Sequence, residues 1–303
     1  MSLKIVVTGA SGFVGRALMQ RWLDGPVQAV PLSLREPPAV WAGALRGADA
    51  VVHLAARVHI LQDAAADPLA QYRAINTVAT LQLATAAAQA GVRRFVFVSS
   101  VKVCGERTAP GRPFTAGQTP APEDPYGQSK WEAEQQLQAL ARATGLELVI
   151  IRPPLVYGPG VKANFARLIQ WVARGVPLPL AGLDNRRSLV ALPNLVDLMD
   201  CCVHHPAAAG QTFLVSDGED VSTTTLILRI ASVLQRPARL FAVPPFWLER
   251  LGRFCGQSAA VERLCGTLQV DIAATREVLG WTPPVDMQQG LQLTIRKQYE
   301  AII

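Results

Sequence analysis

Short apolar runs rich in β-branched residues alternate with stretches of helical spacing through the first half of the chain. Residues 5–7, 27–32, 49–54, 95–99 and 146–151 read as strands, and 12–23, 77–90 and 129–144 as helices. Strands that are apolar throughout, separated by helices, predict a parallel sheet covered on both faces, the doubly wound α/β class. Residues 57–69 and 108–125 read as loops. Both follow the carboxyl ends of strands, where open α/β sheets take up ligands. Beyond Pro159 the pattern loosens into short helices and Pro-punctuated loops. The expected organisation is a first domain over 1–160, with part of 188–217 returning to it, and a smaller α/β lobe over 161–303.

Composition narrows the class. The chain has 303 residues, half of them hydrophobic, enough for a large core. No apolar run approaches the roughly 20 residues of a membrane helix, and the apolar start runs straight into glycines without a charged leader. A soluble cytoplasmic protein without a membrane span is expected. The five cysteines form no CxxC pair and the four histidines have no ligand spacing, so no metal is expected. Net charge is +6, but the basic residues are scattered, which argues against nucleic acid as a partner.

The segment TGASGFVG, Thr8 to Gly15, joins the first strand to the first helix. Its glycines allow a tight turn and close approach of a pyrophosphate, and the helix N-terminus offers unpaired N–H groups. Gly9, Ser11, Gly12, Phe13, Val14 and Gly15 are therefore the expected dinucleotide contacts in a Rossmann-like domain. The second strand ends without an acid for an adenosine ribose. Ser33 and Arg35 follow it, which leans the expectation to NADP over NAD, with Glu36 still able to serve the ribose.

The segment DPYGQSK carries Tyr126 and Lys130 four residues apart, on one helical face. An unperturbed Tyr titrates near about 10, and a fixed ammonium or a nicotinamide cation beside it favours the phenolate. VSSVKVCG, residues 98–105, ends the preceding strand with hydroxyls that can hold a substrate oxygen. With HLAA (53–56), RPPLVYGP (152–159), VSDG (215–218) and VLGWTP (278–283), these segments resemble the extended short-chain dehydrogenases/reductases, in their epimerase/dehydratase branch. The resemblance implies Tyr126 as acid/base, Lys130 as its partner on the cofactor ribose, and Ser100 rather than Ser99 as the substrate-orienting hydroxyl. It further implies that Leu54, Ala55, Ala56, Asn76, Val98 and Pro153 line the cofactor.

In the second lobe NRRSLV resembles the family stretch whose Arg contacts a diphosphate, which points to Arg187. Asn164 and Lys102 are the further substrate candidates, and Asn194 replaces an Asp that caps a helix. Arg250, Arg253 and Arg263 are alternatives for a second phosphate contact. The resemblance implies a UDP-sugar substrate changed at C4, by a 4-epimerase or a 4-keto reductase, in surface-polysaccharide precursor synthesis. It also implies a homodimer formed through helices 77–90 and 129–144. Val101 and Lys102 stand where a 4,6-dehydratase needs an acidic pair, which argues against dehydration. A dinucleotide-binding sensor without catalysis is the alternative of another class, opposed by the joint presence of Ser100, Tyr126 and Lys130.

Overall fold

In a computed structural model, residues 2–23, 25–58, 67–244, 246–247, 250 and 264–300 are described. The first half runs β1 (Leu3–Thr8), α1 (Phe13–Trp22), β2 (Val27–Leu32), α2 (Pro38–Leu45), β3 (Ala50–His53), α3 (Pro68–Tyr72), a π-helical turn Arg73–Ala79, α4 (Thr80–Gln89), β4 (Arg94–Val98), α5 (Pro125–Thr144) and β5 (Glu147–Arg152). The second runs β6 (Leu155–Tyr157), α6 (Ala163–Ala173), β7 (Leu178–Ala181), β8 (Arg187–Ala191), α7 (Leu192–His204), β9 (Thr212–Leu214), β10 (Asp220–Val221), α8 (Thr223–Val233), β11 (Leu240–Ala242), α9 (Ala273–Leu279) and α10 (Met287–Glu300).

Six strands form one parallel sheet in the order β2-β1-β3-β4-β5-β9. Alternate residues of these strands serve two cores, because successive side chains point to opposite faces. Ile5, Val7, Val52 and Val96 pack with Leu18 of α1 and Leu195 and Leu198 of α7. Val6, Val51, Phe95 and Phe97 pack with Trp41 of α2, Leu83 of α4 and Leu137 of α5. This is the doubly wound arrangement that the continuous apolar strands predict. A smaller three-stranded sheet, β10-β8-β6, a β11-β7 pair and α6, α8 and α10 enclose a separate core around Tyr157, Phe165, Ile227 and Leu291.

Local chemistry sets the helix limits that matter for the site. Asp124 accepts from Gly127 N at 2.6 Å and Pro125 occupies the first turn, so α5 starts a turn before residue 129. It ends on Gly145 in the left-handed region, φ 78°. Within 57–69, read from sequence as loop throughout, Pro68 and Leu69 already belong to α3.

Arg94 carries an unusual structural load. Only 1% exposed, it donates Nη1 to the carbonyls of Cys202, Val203 and His205 (2.9, 2.9 and 2.8 Å) and grips Glu147 with Nε and Nη2. A cation at the carbonyl end of α7 is favourable by dipole and by hydrogen bonding. Arg94→Met is expected to cost about 3 kcal/mol, read as a lower urea midpoint at unchanged m-value, because buried carbonyls lose their donor.

Candidate active site

The glycine loop sits where β1 gives way to β3 as neighbour, the switch point at which doubly wound sheets bind ligands. Gly9 has φ 68°, and a Cβ there would lie 2.7 Å from Ala55 N and 2.8 Å from Leu54 C. At Gly15 a Cβ would lie 2.1 Å from Gly9 O. Gly12 N donates to Gly9 O at 2.9 Å, and Gly12 is the side-chain-free N-cap of α1. The result is a backbone cradle open at Ser11 and Gly12, with Phe13 and Val14 half-buried beside it. It suits a pyrophosphate held by N–H groups and helix dipole. Beneath it Thr8 Oγ1 lies 2.7 Å from His53 Nδ1 and accepts from Ala55 N at 3.3 Å, while His53 Nε2 lies 2.9 Å from Thr80 Oγ1. Burial first, then the Lys130 charge, pulls His53 down to about 3, so the imidazole is a neutral bridge.

Tyr126 and Lys130 leave α5 on the face turned to the carboxyl ends of β4 and β5. Tyr126 is half-buried, packs edge-on to Tyr72 (centroids 6.0 Å apart) and has Ser100 as the neighbour that favours its phenolate. Ser100 is the extended residue that caps the turn Val101–Val103 and accepts from Lys102 N at 3.2 Å. Its neighbour Ser99 points the other way, is 4% exposed, and donates to Glu134. Lys130 is 2% exposed, donates Nζ to Val98 O at 2.9 Å and stands 4.5 Å over the Phe97 ring.

Electrostatics depart from the sequence expectation. Burial, then Asp124, pushes Tyr126 up to about 12 against the opposing influence of Ser100, and burial pulls Lys130 down to about 7 despite Glu134. The Lys130 ammonium is turned onto the Val98 carbonyl, and within the protein alone the phenol is held protonated. Depressing it takes an added positive charge beside the phenol.

Several of the predicted contact residues also brace the site. Asn76 is fully buried in the π-helical turn; its Nδ2 donates to Arg57 O and Ser129 Oγ (both 3.0 Å) and its Oδ1 accepts from Arg57 N at 2.8 Å. Its amide ties the segment following β3 to α5. Lys102 directs Nζ to Glu106 and Asp124, each at 2.6 Å, and so fixes the N-terminus of α5. Gly127 permits this approach, since a Cβ there would meet Lys102 O at 2.7 Å. Asn194 does not cap α7: as its third residue it donates to Asp217 Oδ1 and Val285 O (2.7 and 2.8 Å), while Ala191 is the N-cap.

Pro153 is buried, and its carbonyl accepts from Val101 N at 3.0 Å, keeping β5 beside the Ser100 turn. Arg187 opens β8 and donates to Gly266 O at 3.0 Å, whereas Asn164 lies exposed in the first turn of α6. Ser33 and Arg35 are exposed after β2, with Ser33 Oγ accepting from Arg35 N at 3.2 Å. Arg250 is described, its guanidinium 5.4 Å from the Phe246 ring, but Arg253 and Arg263 lie outside the described residues. The sequence reading missed Asp217, which accepts from Tyr157 Oη and Ala191 N at 2.7 Å and so ties β6 and the start of α7 to the VSDG segment. Its place in VSDG was the available signal.

Over residues 5–216 the sequence matches the NAD dependent epimerase/dehydratase family. The chain belongs to that family. This epimerase/dehydratase is 44% identical to the UDP-glucose 4-epimerase of Vibrio cholerae, over 99% of this chain and 97% of that one. It is 26% identical, over 100% and 96% of the two chains, to the N-acetyl-alpha-D-glucosaminyl-diphospho-ditrans,octacis-undecaprenol 4-epimerase of Escherichia coli O157:H7. A short-chain dehydrogenase/reductase superfamily protein from Agrobacterium tumefaciens, solved with bound NAD, shares the fold at TM-score 0.78 and 22% identity, covering 99% and 98%. The protein is thus an enzyme of the NAD-dependent epimerase/dehydratase family, with the fold of that short-chain dehydrogenase/reductase. Among the described residues no helix is long and apolar enough to cross a membrane.

Proposed function

We propose that this epimerase/dehydratase acts at C4 of a UDP-hexose or UDP-N-acetylhexosamine, as a 4-epimerase or a 4-keto reductase, in surface-polysaccharide precursor synthesis. The observation that carries the reading is the placing of Tyr126 beside Ser100 and one helical turn from buried Lys130, whose Nζ reaches the carboxyl end of β4. The 44% identity to a UDP-glucose 4-epimerase supports C4 and the uridine nucleotide. Bound NAD(P) supplies the hydride donor or acceptor. Ser100 holds the C4 oxygen, and Tyr126 Oη takes or gives its proton. Lys130 anchors the nicotinamide ribose, and Leu54 to Ala56 with Val98 border the cofactor. Arg187 reaches the diphosphate, with Asn164 beside it.

The reductase reading has its own support, since Tyr126 is held protonated and is therefore ready to donate. Arg35 beside Ser33, with no acid ending β2, fits a 2′-phosphate and so NADP. The test is to denature the purified protein and identify the released dinucleotide, then to assay UDP-sugars with NAD, NADH and NADPH. Tightly held NAD with UDP-sugar interconversion identifies the epimerase. Turnover that needs added NADPH identifies the reductase, and no turnover with either ends the C4 reading. Arg35→Ala is expected to weaken NADPH about tenfold and NADH less than about twofold, by losing a charge-assisted bond; equal effects would remove the 2′-phosphate assignment. A homodimer through α4 and α5 is also proposed, supported by Ile75 and Val78, exposed at 37% and 50% beside α4. Light scattering at a dimer mass, lost on Val78→Arg, is the expected result.

A further inference from the structure

Behind the proton-transfer pair lies a charged unit that the proposed reaction does not use. Tyr126, Lys130 and Glu134 follow one another at four-residue spacing, so their side chains line one face of α5. Glu134 is 0% exposed. Arg152, ending β5 and 3% exposed, clamps it bidentately, Nε to Oε1 at 3.0 Å and Nη2 to Oε2 at 2.6 Å. Ser99 Oγ donates to Oε1 of the same carboxylate, and Arg152 Nη1 approaches Cys104 Sγ at 3.6 Å. A buried ion pair is weak evidence for stability, since apolar replacements of similar volume are often no worse. Its position offers a better reason for its presence.

The titratable groups around the Lys130–Glu134 run do little for an ammonium. From β3 the imidazole of His53 is neutral, and from the turn after β4 burial pushes the Cys104 thiol up, so it too is neutral. Tyr126 is a neutral phenol and Arg152 is a second cation. Of the groups named, only Glu134 is an anion that supports the Lys130 charge, and burial works against it. The same carboxylate also holds Ser99, the residue before Ser100, and so couples the strand end to the helix.

We propose that Glu134, oriented by Arg152 and Ser99, is a positioning residue that keeps Lys130 charged and Ser100 in register with Tyr126. The inference rests on the proposed roles of those three residues. Three proteins decide it: wild type, Glu134→Gln, and the charge-balanced double variant Glu134→Gln/Arg152→Met, each checked for folding by its thermal transition. NAD(P)H affinity is followed by fluorescence from pH 6 to 9, and turnover where a substrate is in hand. Because the charged Lys130 is the binding form, affinity falls as pH rises through its pKa. Glu134→Gln is expected to lose that affinity about one pH unit lower than wild type, as removal of a neighbouring anion requires, and the folded double variant, which sheds a cation as well, by less. The double variant's kcat is expected to fall ten- to a hundredfold at nearly constant KM, as loss of orientation does. If the double variant keeps the wild-type midpoint and kcat, Glu134 only neutralises Arg152 and the proposal is overturned. An unaffected Glu134→Gln overturns it equally. Wild type inactive on every UDP-sugar overturns the substrate reading instead, and the cofactor titration still decides Glu134.

Discussion

Tyr126→Phe is expected to lower turnover of the proposed UDP-sugar substrate about a thousandfold or more while leaving the dinucleotide Kd within about twofold. One positioned acid/base group contributes on the order of a hundred- to ten-thousandfold, and the substitution removes only the phenolic oxygen. The ring remains to pack edge-on against Tyr72, and the Asp124 cap and Lys130–Val98 bond do not involve that oxygen. Stopped turnover with intact cofactor binding therefore isolates the proton step, and surviving turnover would remove Tyr126 from it. The direction of the pKa shift adds a signature. With the phenol pushed up to about 12, proton donation is available across the neutral range, so reduction should be flat with pH until Lys130 loses its charge. Oxidation needs the phenolate and should rise with pH over the same range. A bell shared by both directions would contradict this ordering.

Much of this site was legible because its parts are local. The glycine spacing, the Tyr126–Lys130 repeat and the apolar strands each follow from a few neighbouring residues, and the six-stranded sheet assembles them as such patterns do. What escaped depends on partners far along the chain. Nothing in the local sequence of Lys102 announces Asp124, and nothing at Asn76 announces Ser129, 53 residues away. The motif identifies the residue type, while its use as a brace is set by tertiary contacts. The π-helical turn is hidden for a related reason: nothing in the run Arg73–Ala79 distinguishes a wider turn from an α-helical one, and it packs against α3 and α5. An Asx residue near a helix start, such as Asn194, is able to cap it. Here Asp217, 23 residues on, claims its side-chain amide.

Gly15→Ala should have the second large effect, on binding instead of chemistry. Helix propensity alone favours alanine over glycine by about 1 kcal/mol in a helix interior. Here that preference is overridden, because the new methyl would stand 2.1 Å from Gly9 O, 2.7 Å from Ala10 Cα and 2.9 Å from Ala10 C. All three are backbone atoms, with no flexible side chain to give way, so either α1 retreats or the turn at Gly9 opens. The turn cannot open freely either, since Gly9 is pressed against the Leu54 and Ala55 backbone. Movement of α1 would carry the free N–H groups of its first turn away from the pyrophosphate. The expected result is a dinucleotide Kd raised about a hundredfold or more, consistent with lost charge-assisted bonds. A lower thermal midpoint should accompany it, as overpacking costs about 1–3 kcal/mol. Gly43→Ala is the matched control, since a Cβ there meets no atom within 4 Å inside α2; it should bind cofactor as wild type does and melt no lower. Equal behaviour of the two variants would mean that the Gly9–Gly15 approach is not what shapes the cofactor site.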